Sequence, residues 1–419
     1  LGSWFALVLA TLMLPAVLMR ISASKHFEAD SFSKNLSAFS MLGYTYSTQV
    51  LIGAFTIITI SLILISNSKL SDSLTAWFDE DTHYNQSMQI LDEQYLGSDT
   101  ITIAIEATAG DLLGAKRWPA QSENLDNFVS LASSLDQKNY KGTWLHPIKV
   151  AQHTKQTLND NSDSSFWENK LDEFSELDNF STESVAHSGL MTMFSPGKLD
   201  YSLWYFDSGY DSSFRLVEKV EDIEQFISKE IDDRQLKVGG VGLALAQLGV
   251  ENFWSVLKGS LLTLSFIALT MFFVMYSFRL GLISLLPNFG PIIIAFGMWA
   301  AIEGYFNLAT ITVFGLALGI VVDDTIHILL KYKQCLKSES NREAAFRTSI
   351  RECSVGIFAT TMVIGIGFVL LGTSGFLLTA QKAQLAALTV FVAFVFDLLV
   401  VPALVAKWDM LNFWRSGES

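Results

Sequence analysis

Asp323 and Asp324 stand side by side in the stretch Asn307 to Gln334, which has no other Asp, Glu, Lys or Arg before Lys331. If that stretch is a helix rising about 1.5 Å per residue, roughly 12 Å separates the pair from Lys331. Charging a carboxylate near the centre of a bilayer costs roughly 2.5–3.5 kcal/mol on insertion scales, and two charged neighbours would also repel. Such a pair is suited to proton loading: at least one member is expected to take up and release a proton near neutral pH. His327 follows within one turn and shares part of the same helical face. It is either a relay group or a polar residue nearing the membrane surface. Gly315 and Gly319, with Ala317 between them, remove side-chain bulk one to two turns earlier and allow a neighbouring helix to approach closely. Thr360, Thr361 and Asp397, in two later apolar stretches, would extend a polar track. The competing reading is static: the acids pair with a base or hydroxyl of another segment and simply hold helices together.

Helices buried in lipid must position these groups, and the chain has them. Half of its 419 residues are hydrophobic and the mean hydropathy is +0.35. Residues 1–19, 35–68, 280–302, 304–322 and 353–381 contain no Asp, Glu, Lys or Arg. A bilayer-spanning helix needs about 20 mostly apolar residues. Two more stretches tolerate one charge, 255–278 with Lys258 and 384–406 with Asp397. The expectation is a membrane α-helical bundle of seven transmembrane helices.

Residues 67–250 differ in character, with 30 acidic and 14 basic residues, so the net charge of −14 comes from this segment. That balance gives no basic surface for nucleic acid. Within it, Asp79 to Leu96 reads as a helix and Thr100 to Ala107 as a strand. Residues 121–135 suit a helix, 150–190 polar hairpins and loops, Leu199 to Phe206 a strand, Ser212 to Ile231 an amphipathic helix and 236–241 a last strand. Strand–helix–strand elements of this kind favour a small α+β sandwich. His83, His146, His153 and His187 lack metal-ligand spacing and read as surface residues. Cys335 and Cys353 form no disulfide framework or zinc pattern. Neither a nucleophile–base set nor a metal set appears, so no enzyme activity and no cofactor are expected.

Short loops rich in Lys and Arg face the cytoplasm. With alternating spans, Arg20, Lys25, Lys34, Arg279, Lys331, Lys333, Lys337, Arg342, Arg347, Arg351, Lys407 and Arg415 fall on one side. This places 67–250 outside the cytoplasm. Trp77, Trp254, Trp299 and Trp408 lie near span ends, where interfacial aromatics collect. Residues 6–19, ALVLATLMLPAVLM, align without a gap on 393–406, AFVFDLLVVPALVA, with Pro15-Ala16 over Pro402-Ala403. Two copies running in the same direction fit a parallel repeat of two transporter halves. The expected domains are then 1–21, the last transmembrane helix of a first half; 22–48, a cytoplasmic linker; 49–66, a transmembrane helix; 67–250, the α+β domain outside the cytoplasm; 251–407, a five-helix transmembrane bundle; and 408–419, a cytoplasmic tail. Leu1 already lies inside an apolar span, which reads as a cut within a longer array.

The run Gly315 to His327, GLALGIVVDDTIH, resembles the acid-pair helix of exporters of the resistance-nodulation-division (RND) superfamily. It is most similar to the bacterial predicted-exporter branch grouped with the MMPL and sterol-sensing-domain-like proteins. Leu286-Pro287-Asn288 with Pro291, Asn307-Leu308-Ala309-Thr310, Gly240-Val241-Gly242-Leu243-Ala244, and Glu343-Ala344 leading to Thr360-Thr361 fit as well. The resemblance implies twelve helices in the bacterial inner membrane and ferredoxin-like porter subdomains in the periplasmic loops. It also implies inward proton movement on Asp323 and Asp324, coupled to export of a hydrophobic, amphipathic or lipid-like substrate. Membrane lipids, protons and the N-terminal half of the same protein are the implied partners, and a homo-oligomer is compatible with it. In multidrug pumps of this superfamily the acid pair sits on the fourth helix and faces a Lys on the tenth. Here the acids occupy what should be the tenth, which favours the lipid-handling branch. A non-pumping lipid sensor of the sterol-sensing kind and an accessory of protein secretion are the alternatives.

Overall fold

The computed structural model describes residues 29–73, 77–79, 81–94, 100–106, 134, 144–145, 201–207, 212–230, 236–275, 285–339 and 341–407. The expected span at 1–21, the repeat partner at 6–19, the helix at 121–135 apart from residue 134, the segment 150–190, His146, His153, His187, Arg279 and the tail 408–419 lie outside these residues.

Two helices open the described chain, α1 (Ala29–Thr45) and α2 (Ser47–Ser66). The first lies within the stretch read as a linker. It packs on the basic end of the bundle, and its Gly43 meets the Leu399 backbone so closely that a Cβ would collide with the carbonyl. Gly43→Val is therefore expected to cost about 1–3 kcal/mol through overpacking, measured as a lower unfolding midpoint of the purified protein in detergent.

After β1 (Lys69–Leu70) and α3 (His83–Gln94), four strands build an antiparallel sheet: β2 (Thr100–Glu106), β3 (Trp144–Leu145), β4 (Tyr201–Asp207) and β5 (Leu236–Gly239). Their order across the sheet is β3-β4-β2-β5, with Ile103 opposite Trp204 on one side and Val238 on the other. Alternation in TITIAIE puts Ile101, Ile103 and Ile105 on one face. The amphipathic helix α4 (Ser213–Glu230) covers that face with Leu216, Val220, Ile223 and Ile227, and all seven are buried. Gly240, at φ +149°, turns the chain from β5 into the next helix at a point where a Cβ would clash with Thr100 O.

That helix, α5 (Val241–Met275), belongs to both regions. Leu243 and Ala246 complete the core under the sheet, whereas Leu261, Leu262, Phe266, Leu269 and Phe273 project outward. Then come α6 (Leu285–Glu303), β6 (Tyr305–Phe306), α7 (Leu308–Ser338), α8 (Arg342–Leu371) and α9 (Leu377–Lys407). Six described helices, α2 and α5 to α9, are long and apolar enough to cross a membrane. The central helix of the bundle is α9, packed against α1, α2, α6, α7 and α8. Close helix contacts form where side chains are small: a Cβ at Gly297 of α6 would strike Ser61 of α2. Trp299 is buried in the bundle and Trp254 is exposed, so of these two only Trp254 is placed like a membrane-surface aromatic.

Helix ends differ from the charge-free windows for local reasons. The window 353–381 hides a break, because Gly372 caps α8 and Thr373 and Ser374 bond back to its last carbonyls. Conversely, α7 runs on through Lys331, Lys333 and Lys337 to Ser338, since long cationic side chains are solvated at a helix end without breaking it.

Candidate functional site

The acid-bearing helix α7 begins at a firmly built cap. Asn307 Oδ1 accepts from the backbone N–H of Ala309 at 3.1 Å and of Thr310 at 2.9 Å, and the Thr310 hydroxyl accepts from Asn307 N. This reciprocal capping satisfies donors that the first turn leaves free. The Asn307 amide donates to Gln381 Oε1 at 2.6 Å, and the Gln381 amide donates to the Tyr305 hydroxyl at 2.7 Å. The start of α7 is thereby tied to the start of α9. From Leu308 to the acid pair is about 23 Å at 1.5 Å per residue, which puts the pair midway along the helix.

Helical periodicity then sorts the polar groups by depth. Gly315, Gly319, Asp323 and His327 recur every fourth residue and form one open stripe. A Cβ at Gly315 or Gly319 would meet no described atom within 4 Å. Asp323 and His327 lie on that stripe with side chains 71% and 65% exposed, and Asp323 Oδ1 is 3.4 Å from His327 Nε2. Asp324, one step around the helix, is half-buried. Thr325, a further step around, is fully buried and its hydroxyl donates to Asp397 Oδ1 of α9 at 2.9 Å. Asp397 is 0% exposed, and its Oδ2 has no hydrogen-bond partner among the described residues. Three carboxyl groups thus run from the open face of α7 to the bundle core.

The remaining sequence candidates are placed as follows. Thr361 of α8 is buried. Thr360 faces outward and its hydroxyl donates to the carbonyls of its own helix, Ile357 O at 2.9 Å and Gly356 O at 3.3 Å. The residue that sequence reasoning missed is Thr325. Its position directly after two acids was the available signal, because a buried hydroxyl beside an intramembrane acid can serve a second acid. At the basic end of α7, Lys331 pairs with Glu352 of α8. Among the described residues no group of three or more metal-ligating side chains occurs. An apolar recess of about 470 Å³ opens between α2, α6 and α9, lined by residues including Ala54, Ile57, Ile294, Val395 and Phe396.

An acid-bearing helix inside an apolar bundle, joined to an α+β unit by α5, narrows the possible families sharply. Residues 201–415, just over half of the chain, match the model of the MMPL family. The chain belongs to the MMPL family. The matched region begins at β4 and includes α4 to α9, so both the acid pair and Asp397 lie inside the family's own segment. The chain also resembles a protein of Methanocaldococcus jannaschii named "Putative membrane protein", with 23% identity over 214 residues. That alignment covers 49% of this chain and 54% of the relative, so the chain spans about half the length of the relative it matches. Together with the six apolar helices among the described residues, MMPL membership makes it a multi-pass membrane protein of the RND/MMPL kind.

Proposed function

We propose that this MMPL-family chain is part of a proton-driven exporter, in which protons loaded on Asp323 and Asp324 and passed inward drive the release of a hydrophobic, amphipathic or lipid-like substrate. The observation that carries the reading is the depth series: Asp323 with His327 on the open face, Asp324 half-buried, and Asp397 in the core beneath the Thr325 hydroxyl. A static latch needs one acid and one partner. Three carboxyls at successive depths instead give a proton successive places to rest.

The open stripe of α7 supports a second helical unit as its neighbour. Gly315 and Gly319 clear the space a helix needs for close approach, and lipid alone would leave Asp323 and His327 facing acyl chains. In this reading the cell is bacterial, the bundle sits in the inner membrane with its basic end in the cytoplasm, and residues 67–250 form a periplasmic porter domain. The sheet order supports a ferredoxin-like porter unit, since β2 and β3 run in the same direction with β4 inserted antiparallel between them. The apolar recess between α2, α6 and α9 suits an acyl chain at the lipid-facing surface.

The test is proton movement by the full-length protein reconstituted in liposomes with a trapped pH-sensitive dye. An imposed membrane potential, worth about 2.3 kcal/mol per charge per 100 mV, should drive an inward proton flux above that of empty liposomes. A protein that binds lipid but never moves protons would instead be a sensor of the sterol-sensing kind, and this reading would be lost.

A further inference from the structure

Where α7 begins, a side chain outside the acid site holds it. Asp72 follows the short strand β1, which pairs in parallel with β6 just ahead of α7. Its side chain is 2% exposed. Asp72 Oδ1 accepts from the backbone N–H of Leu308, the first residue of α7, at 2.6 Å. Asp72 Oδ2 accepts from the hydroxyl of Ser213, the first residue of α4, at 3.3 Å, and Ser213 is fully buried. On a third side lies Gly249 of α5, where any Cβ would collide with the Asp72 carboxylate. The Leu308 peptide is also gripped from its other side, because Asn252 of α5 donates to Leu308 O at 3.2 Å.

These contacts are unequal to a routine helix cap. Asn307 already accepts from the second and third N–H groups of α7, so Asp72 supplies only the first. What Asp72 adds is a bond from the same carboxyl to α4, the helix that covers the sheet core. Residues 72, 213, 249 and 308 thus bring the connection after β1, the helix that covers the sheet, the helix leaving the α+β domain and the acid-bearing helix to one buried carboxyl. Dipoles favour the arrangement, since an acceptor at two helix N-termini meets positive ends.

We propose that Asp72 is the coupling residue through which displacement of α7 is passed to the α+β domain. The proposal rests on the proton-loading reading above, because it needs α7 to move when its acids change state. A carboxyl that bridges two helix starts transmits a shift of one to the other over two hydrogen bonds. Burial pushes the Asp72 carboxyl up from its ordinary value, against the pull of its Leu308 and Ser213 donors. Asn at this position is therefore the conservative variant: its oxygen still accepts from Leu308, and its amide can donate to the Ser213 hydroxyl.

The experiment uses the full-length protein in lipid nanodiscs and reads hydrogen–deuterium exchange in peptides of α7 and of α4. The perturbation is Asp323→Asn with Asp324→Asn, which fixes both acids in an uncharged form. With Asp72 intact, exchange is expected to change in both helices. With Asp72→Ala the change should persist in α7 and be lost in α4, and Asp72→Asn should restore it. Ser213→Ala, which cuts the bond to α4 and leaves the Asp72 bond to Leu308 in place, should also lose the α4 change and serves if Asp72→Ala does not fold. An α4 response that survives both Asp72→Ala and Ser213→Ala overturns the coupling role, as does an α7 response with none in α4 when Asp72 is intact. If α7 itself does not respond, the proton-loading reading falls and the coupling role falls with it.

Discussion

Replacing both Asp323 and Asp324 with Asn in the full-length protein is expected to abolish proton-driven export while leaving the folded protein in the membrane. Asn nearly matches Asp in size, and removing charge from the middle of α7 lowers the cost of burying that helix. A folding defect is therefore not the expected outcome. In the proposed mechanism protons drive the cycle, so the functional loss should be large. At about 2.3 kcal/mol per charge per 100 mV, and about 1.4 kcal/mol per factor of ten, each proton biases the transport cycle roughly 50-fold. Asp323→Asn alone leaves the half-buried Asp324 in place and should retain part of the flux. Asp324→Asn alone should be the more damaging, since it breaks the series between the open face and the core. Substrate export by cells carrying each variant, normalised to membrane protein level, checks the ranking.

The second large effect is expected at Asp397. A carboxyl that is 0% exposed, with Oδ2 unbonded among the described residues, is a poor choice for stability. Apolar side chains of similar size in the same place are commonly neutral or stabilising. Thr325→Val removes the hydroxyl that serves Oδ1 and should destabilise the bundle by about 1–3 kcal/mol, the cost of stranding a buried polar group. Adding Asp397→Val to Thr325→Val should recover most of that loss, because both partners are then apolar. Transport should behave in the opposite way, and the double variant should be inactive although stable. Unfolding midpoints in detergent and proton flux in liposomes, measured on the same preparations, separate the two quantities. A double variant that transports normally would show Asp397 to be a structural residue.

The parts of this molecule that follow from spacing were legible in the sequence. Runs with no charge located four of the six described spans and runs with a single charge the other two, and alternation in TITIAIE located β2 with its buried face. The amphipathic pattern of residues 212–231 found α4 to within a residue at each end. Asp323, Asp324 and His327 stood out because charge is rare in lipid, and the face that Asp323 shares with His327 follows from 3.6 residues per turn. Contacts between elements were not legible. Thr325 meets Asp397 only because α7 and α9 cross there. Asp72 looks like an ordinary loop acid, and its partners Ser213, Gly249 and Leu308 belong to three other elements. The helix α1 was hidden for a different reason: its polar residues and modest hydrophobicity resemble a linker, and it gains its order from packing on α8 and α9. Gly315 and Gly319 were visible as a small-residue stripe, yet among the described residues it is other glycines, Gly43 and Gly297 among them, that make close helix contacts.

The central claim is that the acid pair sits shielded from water and takes up protons. Carbodiimide labelling, which modifies protonated carboxyls, tests it directly. Full-length protein in liposomes would be treated with a membrane-permeant or a water-soluble carbodiimide across a pH series, and adducts at Asp323 and Asp324 read by mass spectrometry. The account predicts labelling by the membrane-permeant reagent alone, rising as pH falls. Equal labelling by the water-soluble reagent, or no adduct from either at any pH, would contradict it.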